Sequence, residues 1–181
     1  MTEKNDIYDK DRNLTGRTHR RGTFWRKGEY GLVVCVWVYD GKGKFLLTRR
    51  APEKSFAGTW ENSGGAAQAG ETSLQAITRE LAEETGIRAK PEEFHLLCSG
   101  TDKNAHYDFY SLRRDADTPI TLQPGETDAY QWVTLEQIHE MIEKQMICKI
   151  IAKQFLRQES LLRQLHNAEQ YNACKNIPTT L

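Results

Sequence analysis

The sequence predicts a mixed α/β domain, because strand-like and helical segments alternate along its 181 residues. Leu32–Tyr39 is rich in valine and aromatic residues, and Lys44–Arg50 returns after the glycine-containing turn Asp40–Gly43. Helical patterns follow at residues 72–85 and 135–143. Antiparallel hairpins that alternate with helices are typical of a mixed sheet packed against helices.

The remaining elements extend this alternation in chain order. Two short extended pieces around Asp11–Asn13 predict an N-terminal hairpin. Residues 51–64 are expected to form a loop. Three further strands and a final helix are predicted in the second half of the chain, at Glu93–Ser99, His106–Arg113, Gln131–Thr134 and Met146–Leu165.

One main domain is expected for a chain of this length. The sequence divides into an N-terminal extension at residues 1–28, the main domain at residues 29–166 and a loosely held tail at residues 167–181. The apolar stripe of the last helix is explained by core packing or by the interface of a homodimer, and both interpretations are open.

Composition excludes several classes of partner. Basic and acidic residues balance at 25 each, so no global basic field favours a nucleic acid polymer. No apolar run has the length of a membrane span, and the polar N-terminus lacks a signal-peptide core. The four cysteines are far apart in the sequence and show no metal-ligand pairing. A reduced, cytoplasmic setting is therefore expected.

The helix predicted between Thr72 and Gly86 has clear ends and one apolar face. Thr72 and Ser73 can supply capping oxygens at the start, and Gly86 is a natural C-terminal stop. Leu74, Ile77 and Leu81 recur at three- and four-residue spacing, which gives an apolar stripe. The helix can therefore bury one side and present other residues on the opposite side.

Three carboxylates occupy one face of this helix. Glu80, Glu83 and Glu84 lie at positions i, i+3 and i+4, where like charges repel. A hard divalent cation among them would offset that repulsion, because Mg²⁺ prefers oxygen ligands. The alternative is a solvated acidic helix face.

The wider pattern resembles a known family. The segment from Gly65 to Ile87 resembles a complete Nudix box. Five residues separate Gly65 from Glu71, and seven residues separate Glu71 from the run Arg79–Ile87. The box covers 23 residues, and weaker similarity extends over residues 30–142. The resemblance implies a Nudix α/β/α sandwich with a mixed sheet, in which the box forms a catalytic loop–helix–loop.

The resemblance implies a metal-dependent hydrolase. Such an enzyme cleaves a diphosphate bond in a nucleoside diphosphate linked to another group, and it requires Mg²⁺ or Mn²⁺. Transferred to this sequence, the metal ligands are Glu80, Glu83 and Glu84, with the carbonyl of Gly65 or Gly64 as a further ligand.

Catalytic roles follow from the same resemblance. Arg79 orients the carboxylates through charge-assisted hydrogen bonds, with Glu71 as its partner. The general base varies within the family, so the catalytic candidates are Glu83 and Glu84 in the box and Glu126 downstream. Glu126 is either a base or metal ligand, or a turn residue that favours solubility.

Two basic features outside the box have two interpretations each. Arg49 and Arg50 end a predicted strand and are either contacts of a substrate diphosphate or a surface pair. The basic stretch at residues 17–27 contacts substrate phosphates or a partner subunit, or it is simply solvated.

The expected substrate is a small, nucleotide-derived diphosphate, but its identity is not encoded by the box. His106, Tyr107 and Tyr110 either line a pocket for a base or belong to the core, and alternating tyrosines on a strand are usually core residues.

Two other functions compete with the hydrolase. The N-terminal part and the segment Trp60–Ser63 resemble the isopentenyl-diphosphate-isomerase-like branch of the family. That reaction needs a cysteine in the loop where this chain has Ser63, Gly64 and Gly65. A non-catalytic nucleotide-sensing Nudix domain is the second alternative, although such domains usually lose box glutamates.

Overall fold

The computed structural model describes the backbone of residues 3–175 and side chains as far as residue 165. The chain forms two compact units, Met1–Trp37 with Ser63–Leu112 and Val38–Asn62 with Arg113–Leu181. A 3₁₀ turn lies at Pro91–Glu93. The strands and helices, in chain order, are β1 Lys4–Tyr8, β2 Leu14–Arg20, β3 Gly31–Tyr39, β4 Lys44–Arg50, β5 Trp60–Glu61, β6 Ser63–Ala66, α1 Ser73–Thr85, β7 His95–Asp102, β8 Ala105–Arg113, β9 Thr127–Thr134, α2 Leu135–Glu143 and α3 Lys149–Lys175.

The first unit contains a hairpin, a small sheet and helix α1. Strands β1 and β2 pair antiparallel, with a bulge between Asp6 and Tyr8. In the sheet, β3 lies between β6 and β8, and β8 pairs antiparallel with β7. Helix α1 packs on β6. The fully buried side chains Val34, Ile77 and Leu112 mark the core of this unit.

The second unit is built around β4. This strand pairs antiparallel with β9 along its whole length and with β5 near its end. Phe45 and Leu47 of β4 are buried, as are Ile138 of α2 and Phe155 and Leu162 of α3. These apolar side chains form the core of the second unit.

The structure confirms the α/β class and corrects several boundaries. The expected loop at residues 51–64 contains β5 and the start of β6, because strands of two to four residues are too short to produce a periodic pattern. Helix α3 spans Lys149–Lys175, in place of the predicted Met146–Leu165. It therefore includes the first part of the tail at residues 167–181, and the prediction that this tail is loosely held stays a prediction. No Gly or Pro interrupts the helix. The rest of the tail lies outside the described residues, and the division at residue 28 stays a prediction.

None of the helices within the described residues is both long enough and apolar enough to cross a membrane.

Candidate active site

Local signals fix the position of helix α1, which carries the acidic residues. The Thr72 hydroxyl accepts from the Gln75 backbone N–H at 3.2 Å, and the Gln75 side chain accepts from the Thr72 N–H at 2.8 Å. This reciprocal pair is a capping box. Gly86 ends the helix in the left-handed conformation, with φ 73°. Ile77 and Leu81 are fully buried, which anchors the apolar face of the helix.

Arg79 connects carboxylates at the start and in the middle of the box. Its Nε and Nη2 donate to the two Glu71 oxygens at 2.7 and 2.9 Å. Its Nη1 donates to Glu80 Oε1 and Glu83 Oε2, both at 3.0 Å. The hydrogen bond from Arg79 holds the Glu71 pKa below its ordinary value. The pairing of Arg79 with Glu71 is therefore present, whereas the catalytic roles stay predictions.

Glu80 is a largely buried acid that lies against the backbone of β6. Burial raises the pKa of Glu80, and the charge of Arg79 and its hydrogen bond oppose that rise. A Cβ atom at Gly65 would overlap the Glu80 carboxylate. The absence of a side chain at Gly65 is thus what allows this acid to approach the strand.

Glu84 makes a similar approach to the preceding glycine. Its side chain is buried, with 8% of the residue exposed, and its Oε2 accepts from the Gly64 N–H at 3.3 Å. A Cβ atom at Gly64 would overlap the Val34 carbonyl oxygen on the neighbouring strand. Both glycines of β6 therefore lie where backbone and carboxylates come close together.

The arrangement fits a divalent cation by its chemistry, although it is not a preformed cage. Among the side chains that the structure describes, no three His, Cys, Asp or Glu groups converge on one point. The Arg79 guanidinium lies between the Glu80 and Glu83 carboxylates instead. The donors around it are carboxylate and backbone oxygens, which Mg²⁺ and Mn²⁺ prefer. The buried Glu80 carboxylate fills the space that a side chain at Gly65 would take.

Glu126 lies in the second unit, in the turn before β9. Its carboxylate forms an ion pair with Lys54, which belongs to the loop before β5. Its backbone carbonyl accepts from the Ala51 N–H at 3.0 Å. These contacts connect the loop to the turn, and the role of Glu126 as base or metal ligand stays a prediction.

Arg49 and Arg50 both have acidic partners within the second unit. Arg49 Nε donates to Asp128 Oδ1 at 2.7 Å, and its guanidinium lies 5.8 Å from the centroid of the Trp60 ring. Arg50 Nη1 donates to both Glu61 oxygens at 2.6 and 2.7 Å. Burial raises the pKa of Glu61 against these hydrogen bonds. Sequence reasoning missed Glu61, although an acid close to an arginine-rich strand end is a usable signal.

A buried polar network around Asp108 was also not predicted from the sequence. Asp108 is 4% exposed and forms an ion pair with Arg12 in the turn between β1 and β2. Its carboxylate accepts from Ser73 Oγ at 2.5 Å and from Ser99 Oγ at 2.6 Å. The Tyr110 hydroxyl donates to Ser73 Oγ at 2.9 Å. Because Ser73 is the first residue of α1, the network fixes the start of the acidic helix.

Two of the three ring residues considered for a base pocket are core residues. His106 is 2% exposed, and its ring nitrogens contact Thr101 Oγ1 at 2.9 Å and the Asp9 carbonyl at 2.7 Å. Tyr110 is buried too, whereas Tyr107 is partly exposed and stacks on Phe109. The core interpretation is therefore confirmed for His106 and Tyr110.

Comparisons with known proteins agree with this geometry. The NUDIX domain profile matches residues 29–152. The uncharacterized Nudix hydrolase lmo0368 of Listeria monocytogenes is 32% identical over 142 residues, which cover 77% of this chain and 84% of that protein. An isopentenyl-diphosphate Δ-isomerase of Enterobacter sp. (strain 638) is 32% identical over 122 residues, which cover 62% of this chain and 66% of the isomerase.

A solved structure shows the same fold. DR0079 from Deinococcus radiodurans superposes with a TM-score of 0.72 at 22% identity, covering 91% of this chain and 99% of the other. The chain belongs to the Nudix hydrolase family, whose enzymes generally hydrolyse compounds in which a nucleoside diphosphate is linked to another group. Members of this family generally use divalent metal cations.

Proposed function

We propose that this chain hydrolyses a diphosphate bond in a small, nucleotide-derived substrate and depends on Mg²⁺ or Mn²⁺. The observation that carries the proposal is the largely buried Glu80 carboxylate against Gly65, next to Arg79. A buried acid is costly unless positive charge compensates it. Arg79 supplies part of that charge, and a bound cation would supply the rest.

Glu80, Glu83, Glu84 and the carbonyl of Gly65 would hold the metal. When bound, Mg²⁺ or Mn²⁺ neutralises phosphate charge and lowers the pKa of a coordinated water. Arg79 holds the acids in place, because its guanidinium is planar and remains charged at every physiological pH.

A carboxylate of this chain would take the proton from the attacking water. Glu83 is half-exposed and Glu84 is buried, so the two box acids differ in access to solvent. Glu126 is the third candidate, and its ion pair with Lys54 would have to open or rearrange for it to act. Arg49 and Arg50 are proposed contacts of the substrate phosphates that would exchange their acidic partners for phosphate oxygens.

The test is a hydrolysis assay on nucleotide sugars, dinucleotides, nucleoside triphosphates and prenyl diphosphates, with Mg²⁺ and Mn²⁺. Glu83→Gln and Glu84→Gln are each expected to lose roughly 10²-fold or more in kcat, as for loss of a strong electrostatic contact. Glu140→Gln, an exposed acid on α2, is the matched control and should retain normal rates.

Near-normal rates in both box variants would refute the metal-ligand assignment. Glu126→Gln belongs in the same series. If Glu126 is the base, the kcat of Glu126→Gln should fall as far as the kcat of the box variants. If Glu126 is only a turn residue, the kcat of this variant should stay within about threefold of the original value.

An isomerase acting on isopentenyl diphosphate is the second candidate, favoured by the similarity to the Enterobacter protein. The reaction needs a cysteine in the loop that here holds Ser63, Gly64 and Gly65. A Cβ atom at Gly64 or at Gly65 would overlap neighbouring atoms, so neither position accepts a cysteine without rearrangement. Proton exchange into isopentenyl diphosphate would overturn the hydrolase proposal.

A further inference from the structure

A cavity of about 260 Å³ lies in the first unit, beside β6. We propose that it binds the planar base of the substrate and so determines which nucleotide derivative is hydrolysed. This inference rests on the proposed function, because it assigns the part of the substrate that the box does not contact. It goes beyond the box itself, which handles only the diphosphate.

Two aromatic rings, those of His19 and Trp25, line the cavity. The rings of His19 and Trp25 stack with their centroids 3.7 Å apart and an interplanar angle of 10°. A Cβ atom at Gly31 would overlap the Trp25 ring, so the ring packs directly on the backbone of β3. His19 is buried and Trp25 is partly exposed. A fixed aromatic surface of this kind suits a planar heterocycle, because every base has a π-face.

The remaining walls combine small and polar residues. Ala66 and Ala105 leave the space open, and Asn104 adds an amide side chain. Thr23 also lines the cavity, but its hydroxyl donates to the Arg20 carbonyl at 2.8 Å. Asn104 lines the cavity from the turn between β7 and β8. Its amide offers both a donor and an acceptor, the combination that the edge of a base requires.

Charge distinguishes a base from a phosphate as the occupant. Arg21 also lines the cavity, but it forms an ion pair with Glu3. The lining therefore carries a paired charge and not a cluster of arginines or lysines of the kind that binds phosphate. The volume is small compared with pockets for drug-sized ligands, and it suits a single heterocycle.

The cavity adjoins the carboxylates through the backbone. Ala66 follows Gly65, which lies against Glu80, and consecutive Cα atoms are about 3.8 Å apart. The Ala66 carbonyl also accepts from Arg79 Nη2 at 3.4 Å. In the proposed arrangement the base lies in the cavity on the Ala66 side of β6. The diphosphate passes the backbone of this strand to the acids of α1, because successive residues of a strand point to opposite faces.

The proposal is tested by filling the cavity from β8. Ala105→Leu adds bulk to the cavity wall, and Ala116→Leu, at an exposed alanine of the second unit, is the matched control. The measured quantity is the ratio of kcat/KM for the preferred nucleoside-containing substrate to kcat/KM for a simple alkyl diphosphate. Ala105→Leu should lower this ratio roughly 10-fold or more, as expected for steric change in a pocket.

A binding measurement separates this inference from the proposed function. AMP, GMP, CMP and UMP are titrated separately by calorimetry without divalent metal. At least one of these nucleotides should bind the original protein. The affinity of Ala105→Leu for that nucleotide should be lower by roughly 10-fold or more. Trp25→Leu should lower the affinity for the same nucleotide, and Trp25→Phe should retain more of that affinity than Trp25→Leu does. Trp25→Leu serves as the second probe if Ala105→Leu does not fold.

An unchanged substrate ratio in Ala105→Leu, or no binding of any of the four nucleotides, would overturn the base pocket while leaving the hydrolase proposal intact. The opposite outcome is a protein that hydrolyses no diphosphate but binds a nucleotide without metal and loses this binding in Ala105→Leu. This outcome would overturn the proposed function and leave the base pocket standing.

Discussion

At the scale of single residues, the contact between Gly65 and Glu80 explains more of the site than the acids alone. The glycine has no conformational peculiarity, and its importance is the space that the Glu80 carboxylate occupies. Arg79 Nη1 also donates a hydrogen bond to Glu80 Oε1 at 3.0 Å. Glycine at this position is therefore a steric requirement of the acidic cluster.

Gly65→Ala should lower kcat at least roughly 10-fold, because the added methyl group displaces the Glu80 carboxylate. Gly100→Ala is the matched control, since a Cβ atom there meets nothing within 4 Å. Steady-state rates with Mg²⁺ and thermal unfolding of both variants make the comparison. Equal rates in the two variants would contradict the steric argument.

Asp108 is the second residue whose role only the structure identifies. Burial opposes its charge, yet the hydrogen bonds from Arg12, Ser73 and Ser99 hold its pKa below the ordinary value of 3.8. A carboxyl group with a depressed pKa stabilises the fold above its unfolded-state pKa. That contribution is lost as the pH falls through the folded-state value.

Asp108→Asn should reduce the free energy of unfolding at pH 7 by about 1.5–3 kcal/mol, the range for hydrogen bonds to a charged group. Because the original side chain becomes protonated in acid, the difference should shrink as the pH falls below 3.8. Urea unfolding between pH 3 and 7 measures it, with the exposed Asp115→Asn as control. A difference that does not depend on pH would show that the charge of Asp108 is not the cause.

At the scale of elements, α1 and α2 begin in the same way but hold different residues. Each starts at a threonine N-cap with glutamine at N3, Thr72 with Gln75 and Thr134 with Gln137, and each forms a capping box. Only α1 carries the acidic cluster. The two caps therefore form a natural pair for separating stability from activity.

Thr72→Ala and Thr134→Ala should each lower the free energy of unfolding by about 1 kcal/mol, the usual cost of losing an N-cap. Only Thr72→Ala should also lower kcat, because fraying at the start of α1 shifts the carboxylates. Chemical unfolding and steady-state kinetics on the same preparations test this. Similar kinetic losses in both variants would indicate a general effect of stability.

At the scale of the whole molecule, the proposed metal binding would be linked to folding. A ligand that binds only the folded state stabilises it by about 2.7 kcal/mol at 100 times its Kd. For a chain of this size that corresponds to a rise in Tm of about 5–11 °C.

Mg²⁺ or Mn²⁺ at saturating concentration should therefore raise the Tm of the protein, and a chelator should reverse the rise. The double variant Glu83→Gln with Glu84→Gln should show little change, with K⁺ at matched ionic strength as the salt control. Scanning fluorimetry measures all four conditions. An equal rise in the double variant would place the cation elsewhere.

Much of the fold was predictable because its long elements have clear local signals. Helix α2 and strand β4 have the predicted bounds, since periodicity and turn residues mark both ends. β5 and β6 were missed, because such short strands exist only through pairing with β4 and β3. Helix α3 was predicted too short, because its C-terminal part lacks the apolar stripe that marked its beginning.

The sequence by itself determined the family and the acidic helix, because fixed spacing within 23 residues encodes them locally. The resemblance to that family also implied the partnership of Arg79 with Glu71. Only the tertiary structure decided which side chains and backbone groups meet in space. These contacts include the approach of Glu80 to Gly65, the Asp108 network and the stacked rings of His19 and Trp25. The physical reason is that such contacts depend on the register of strand pairing and on the packing of helices, which no single segment specifies.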